Sequence, residues 1–242
     1  IPHFTGGLVG FMGYESITWV EDIPIYKQDE LQCPDALFML FHELIAFDHL
    51  QNQIILFSNV QIENGMDLEQ AYTDANLCID EMGEDLHTDI DYQTPARLEQ
   101  SKLHSNFTQA KFEDAVQKAK ENIKAGDVFQ LVLSQCFRRQ TSVDPLTMYR
   151  ALRSINPSPY MFHLKLNDFD IIGASPELLV KVEDDEIEIR PIAGTRQRGE
   201  NAEADKLLAD DLLKDEKERA EHLMLVDLGR NDVGRAAEFD SV

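Results

Sequence analysis

The stretch Arg190-Pro-Ile-Ala-Gly-Thr-Arg-Gln-Arg-Gly199 is followed, after an acidic helical run, by Glu218-Arg-Ala-Glu-His-Leu-Met-Leu-Val-Asp-Leu-Gly-Arg-Asn-Asp232. The first part is a basic, glycine-containing loop. The second has helical spacing and sets Glu218, Glu221 and His222 in adjacent turns. Backbone N–H groups and guanidinium forks suit a carboxylated ligand. Clustered carboxylates suit a hard cation. Together they imply an anionic substrate held partly through a metal ion.

Working outward, short β-prone runs at 160–166, 170–174, 178–182 and 186–189 lead into the loop, and helices at 202–213 and 215–228 follow it. Asp144-Pro145 opens a helix to Ile155, with the proline at its first position. The clearest helix is 108–125, where Phe112, Val116, Ala119 and Ile123 recur at helical spacing and Gly126 stops it. Residues 127–138 alternate as a strand. Further upstream, 67–82 predicts a helix with Leu68, Tyr72, Ala75 and Ile79 on one face. Two β-prone runs, 37–47 and 53–61, flank the turn Asp48-His-Leu-Gln-Asn52. The glycines of 6–14 lie in a strand-like pattern and imply bulges or close backbone packing; no phosphate-loop pattern accompanies them. The polar, acidic 83–104 reads as a connection between two lobes or layers. Strands joined by short turns predict an α+β fold with a mostly antiparallel sheet and helices packed on it.

Composition sets limits. Forty-five acidic residues against 22 Lys+Arg give a formal charge of −23. Nucleic acid and anionic membranes both need a basic face, so neither is expected as a partner. The apolar share, 43%, is that of a globular protein. Cys33, Cys78 and Cys136 have no metal-ligand spacing and fit a reducing, cytoplasmic setting. No apolar run reaches the ~18 residues of a membrane span. The chain has no signal peptide and no initiating Met, which fits a piece of something longer.

Each candidate group admits a plain reading beside the chemical one. Ser175-Pro-Glu177 sits at a strand corner. Glu177 is a general acid or base there, or a solvated turn residue. Glu218, Glu221 and His222 form a ligand cluster suited to Mg²⁺, or a charged helix face paired with Lys214. The pattern is neither of the common zinc helices.

The ordered motifs Ala125-Gly-Asp-Val-Phe-Gln130, Asn156-Pro-Ser-Pro-Tyr-Met-Phe162, Gly173-Ala-Ser-Pro-Glu177, Arg190-Pro-Ile-Ala-Gly-Thr-Arg196 and Glu221-His-Leu-Met-Leu-Val-Asp-Leu-Gly-Arg-Asn-Asp232 resemble the chorismate-utilising enzymes. Within them they look like anthranilate synthase component I. The resemblance implies an α+β fold with antiparallel β-sheets in a sandwich and helices packed outside. Residues 1–95 would be part of the N-terminal regulatory or structural region, and 96–242 the first part of the chorismate-binding catalytic region. The implied reaction is chorismate plus ammonia to anthranilate plus pyruvate, with Mg²⁺ as cofactor. The implied ammonia donor is a glutamine amidotransferase subunit. The same resemblance makes Glu177 the acid assisting loss of the hydroxyl, with Thr195 beside it in catalysis. It makes Gly194 and Thr195 substrate contacts and Glu221 the metal ligand. Asn156, Pro159, Tyr160 and Met161 resemble the segment that binds L-tryptophan, the feedback inhibitor.

Two positions separate the subfamilies. Gln130 replaces the Lys that activates water in isochorismate and salicylate synthases. Ala193 replaces the nucleophilic Lys of the usual aminodeoxychorismate synthases. The family's N-terminal regulatory segment would precede Ile1. Its C-terminal part, with a further Mg²⁺-binding Glu and a catalytic His, would follow Val242. The chain alone is therefore expected to be inactive. The alternatives are an aminodeoxychorismate synthase component I and a non-catalytic tryptophan-binding module.

Overall fold

The structure is a computed structural model, and it describes residues 2–24, 31–89 and 101–242. The chain divides into two compact units, Ile1–Thr94 and Pro95–Val242. The predicted connection 83–104 falls partly on 90–100, outside the described residues.

In the first unit, β1 (Gly7–Met12) pairs antiparallel with β2 (Ala36–Phe41). A Cβ at Gly10 would lie 2.0 Å from the Leu37 carbonyl oxygen and 2.7 Å from Phe38 Cα. The two backbones thus approach as closely as the glycine pattern implied. The apolar run 37–47 is two strands, broken by a bend at His42. β3 (Glu43–Asp48) then forms a hairpin with β4 (Gln53–Ser58). Its turn is held by Asp48, whose Oδ1 accepts the N–H groups of Leu50 and Gln51, each at 2.9 Å. α1 (Leu68–Asp85) is capped by Asp67 and packs on β4. Its less exposed face carries Ala71, Ala75, Ile79 and Met82. Tyr72, expected on that face, is 73% exposed, because a two-stranded ladder covers only a narrow strip of helix.

In the second unit, β5 (His104–Ser105) precedes α2 (Gln109–Ala125). Thr108 caps α2, and Gly126 at φ +84° closes it with N–H bonds to the carbonyls of Asn122 and Ile123. The strand expected over 127–138 forms only at its end, as β6 (Phe137–Arg138) paired with β5. Residues 127–136 carry the alternation but take no regular structure. The hydrogen-bonding row that would make a strand of them needs a neighbour that local sequence cannot supply. α3 (Pro145–Ile155) begins on the Asp144 cap and packs on the hairpin of β7 (Tyr160–Lys165) and β8 (Asp170–Ser175). The strand expected at 178–182 is instead the short β9 (Lys181–Glu183), paired with β10 (Glu186–Glu188). α4 (Ala202–Lys214) and α5 (Glu216–Gly234) close the chain and pack together.

The fold is α+β, and among the described residues every ladder is antiparallel and two-stranded. Among the described residues, Leu166 is the buried hydrophobic side chain, at 7% exposure. The other apolar side chains of the ladders are half-covered or exposed, as two-stranded ladders leave them.

Candidate active site

The first part of the segment between β10 and α4, up to Arg196, is held by four contacts. Glu188, at the end of β10, pairs with Arg190. Ile192 donates its N–H to Glu177 Oε1 at 2.9 Å, which ties the loop to the corner after β8. Gly194 turns the chain at φ +74°, a left-handed conformation that costs glycine little. An ideal Cβ there would meet Glu218 Oε2 at 2.8 Å and Leu212 Cδ1 at 3.1 Å, so the turn lies against α4 and α5.

Arg196 makes the fourth contact. Its Nε donates to Asp211 at 2.8 Å, its Nη2 to Asp215 at 2.8 Å and its Nη1 to the Thr195 carbonyl at 3.0 Å. Glu218 approaches Nη1 at 3.5 Å. The hydrogen bond to Asp211, more than the one to Asp215, raises the affinity of this guanidinium for its proton. Asp215 is held below the ordinary carboxylate value first by the Glu218 N–H that it caps, and then by Arg196. Farther along, Arg198 makes a bidentate pair with Asp205, at 2.7 Å for each bond. The arginines were expected to offer forks to a carboxylated ligand, but Arg190, Arg196 and Arg198 all engage carboxylates of the chain itself. In so acidic a sequence, local carboxylates compete first.

Among the cavities that border the loop, two carry candidate residues. One, of about 470 Å³, is lined by Glu177, Arg190, Ile192 and Asp232 with the apolar Leu178 and Leu225. The other, of about 330 Å³, is lined by Ala193, Leu212, Glu218, Arg219, His222 and Leu223. Glu177 is exposed and sits in a tight turn, with Ser175 Oγ donating to its carbonyl at 2.8 Å. Ala193 brings only a methyl group to the second cavity. Asn156 closes α3 through its N–H bond to Leu152, and Pro159 precedes β7. Tyr160 and Met161 pair across β7–β8 with Ser175 and Ala174. The segment expected to bind tryptophan therefore adjoins the Glu177 corner.

The cluster Glu218, Glu221 and His222 does not assemble as one ligand set. Glu218 faces Arg196 rather than the expected Lys214. Among the described residues no group of three His, Cys, Asp or Glu side chains is placed to hold a metal. Glu221 is half-buried on α5 and lines neither cavity. It offers one carboxylate, and Mg²⁺ needs only one or two from protein, so Glu221 fits as a single ligand. Sequence reasoning missed Asp211 and Asp215 as partners of Arg196. The signal available was the acidic run Asp210-Asp-Leu-Leu-Lys-Asp215, read only as a helix surface.

The profile of a family described as chorismate binding enzyme matches residues 2–242. Anthranilate synthase component 1 of Acetivibrio thermocellus is 42% identical over all of this chain and 50% of its own length. That of Aquifex aeolicus is 44% identical, over all of this chain and 49% of its own length. Aminodeoxychorismate synthase component 1 of Bacillus subtilis is 41% identical, again over all of this chain and 50% of its own. The crystal structure of anthranilate synthase component I from Streptococcus pneumoniae superposes with a TM-score of 0.80 at 37% identity, covering 96% of this chain and 51% of that one. The chain spans about half the length of the curated relatives it matches.

Proposed function

The chain belongs to the chorismate binding enzyme family, and on that premise we propose that the full-length protein converts chorismate and ammonia to anthranilate, pyruvate and water. The ammonia comes from a glutamine amidotransferase partner. The observation that carries the choice within the family is Ala193. Its methyl group lines the cavity beside Glu218 and His222, where a covalent route would need an amine. Gln130 supports the same choice, because an amide cannot deprotonate water for attack on the ring.

Glu177 is the acid that assists departure of the ring hydroxyl. The Ile192 N–H and the Ser175 turn hold it at the rim of a cavity. Gly194 and Thr195 present backbone to the substrate, and Thr195 takes part in catalysis beside Glu177. Glu221 is the protein ligand for Mg²⁺. The cation, when bound, neutralises a substrate carboxylate that the acidic protein would otherwise repel. Asn156, Pro159, Tyr160 and Met161 form part of an L-tryptophan site through which the product pathway restrains the enzyme. The protein works in the cytoplasm, and no described helix is long and apolar enough to cross a membrane.

The test is anthranilate fluorescence from the full-length protein given chorismate, Mg²⁺ and ammonium salt, with Glu221→Ala alongside. Magnesium-dependent anthranilate that disappears in Glu221→Ala is the expected result. Aminodeoxychorismate as product would overturn the use of Ala193, and isochorismate that of Gln130. Tryptophan binding without turnover would make the protein a regulatory module.

A further inference from the structure

We propose that Arg196 is a positioning residue, whose guanidinium clamps the Gly194–Thr195 turn to the junction of α4 and α5 and so sets the backbone that meets the substrate. The inference rests on the reading of Gly194 and Thr195 as substrate contacts. Three edges of one planar fork reach three places: Asp211 near the end of α4, Asp215 between the helices, and the Thr195 carbonyl in the loop. Asp215 is the hinge of the arrangement. Its N–H closes α4 onto Asp211 and Leu212, its Oδ1 caps α5 through Lys217 and Glu218, and its Oδ2 receives Arg196. The turn is thereby referenced to two helix ends rather than to the loop itself. Glu218 adds a third carboxylate at 3.5 Å, and without the guanidinium these acids would repel one another. Arg196 is 24% exposed, whereas the neighbouring Arg198, paired outward with Asp205, is 89% exposed. A lysine would keep the charge but lose the fork.

The experiment uses the full-length protein with Arg196→Gln, Arg196→Lys and, as control, Arg198→Gln. Steady-state rates are measured against chorismate with ammonium and Mg²⁺. Hydrogen exchange of 193–197 is measured without substrate. In Arg196→Gln the KM for chorismate rises about tenfold while kcat stays within about threefold, the pattern of lost uniform binding. Exchange at 193–197 accelerates. Arg196→Lys recovers thermal stability but keeps most of the KM increase, and Arg198→Gln changes neither. A purely structural arginine would instead lower the active fraction at constant KM. Unchanged exchange, or an unchanged KM in an active Arg196→Gln enzyme, overturns the proposal. Should Arg196→Gln fail to fold, Asp211→Asn removes one exposed partner, leaves the α5 cap intact, and is expected to raise KM by a smaller factor; no rise counts against the clamp. A wild-type protein that makes no anthranilate would sink the functional reading, while exchange would still judge the clamp.

Discussion

Replacing Gly194 by alanine separates two costs that the structure places at one residue. The first is backbone strain. At φ +74° an alanine pays roughly 1–2 kcal/mol for the left-handed conformation. The second is contact, because the new methyl would stand 2.8 Å from Glu218 Oε2, 3.1 Å from Leu212 Cδ1 and 3.3 Å from Glu218 Cβ. The carboxylate tip can swing, but Leu212 and the Glu218 stem are packed, so overpacking of about 1–3 kcal/mol is expected. Gly126 supplies the comparison: its φ is +84°, and a methyl there meets nothing within 4 Å. Gly126→Ala should therefore cost the strain alone, about 1–2 kcal/mol. Thermal unfolding of the two full-length variants measures the difference, at about 2–4 °C for each kcal/mol in a domain of this size. Gly194→Ala should melt several degrees below Gly126→Ala, and the gap should narrow in a Glu218→Ala background. Equal melting temperatures for the two variants would refute the packing of this turn against α4 and α5.

Two further outcomes follow from the second unit. Gly173 faces Phe162 across β7–β8, and a methyl at 173 would lie 2.1 Å from Phe162 Cζ, so Gly173→Ala should destabilise by about 1–3 kcal/mol in a urea melt and recover when combined with Phe162→Leu; a neutral Gly173→Ala would contradict the observed register. Acid unfolding tests the helix caps: the Thr147 hydroxyl and N–H hold the Asp144 carboxyl below its ordinary value of 3.8, so its contribution is present above that pH and is lost as pH falls through the lower folded value. Asp144→Asn keeps the cap without the titration and should make acid unfolding below the ordinary Asp value of 3.8 less steep, as followed by circular dichroism.

What the sequence made legible was whatever is settled within one turn of chain. Asp67, Thr108, Gly126 and Asp144 mark helix ends because a cap and its partners lie within four residues. The α+β character and the antiparallel pairing were readable for the same reason, since hairpins such as β3–β4 carry their own turns. Residues 127–136 were not readable, because alternation reports two faces and says nothing about a partner. The site divides along the same line. The loop's basic character was evident, yet Arg196 chose carboxylates 15 and 19 residues away, and Glu177 chose an N–H 15 residues away. Those choices change the chemistry assigned to α5. Glu218 and Glu221 are spaced so that either could serve a cation, and spacing alone does not rank them. The structure turns Glu218 toward Arg196 and Gly194, where its charge is already matched. Glu221 stands apart from that network, so a cation recruited by this helix would meet Glu221 without competing with a guanidinium. On the proposed reading the pair would divide its labour: Glu218 shapes the turn, and Glu221 would serve the cation.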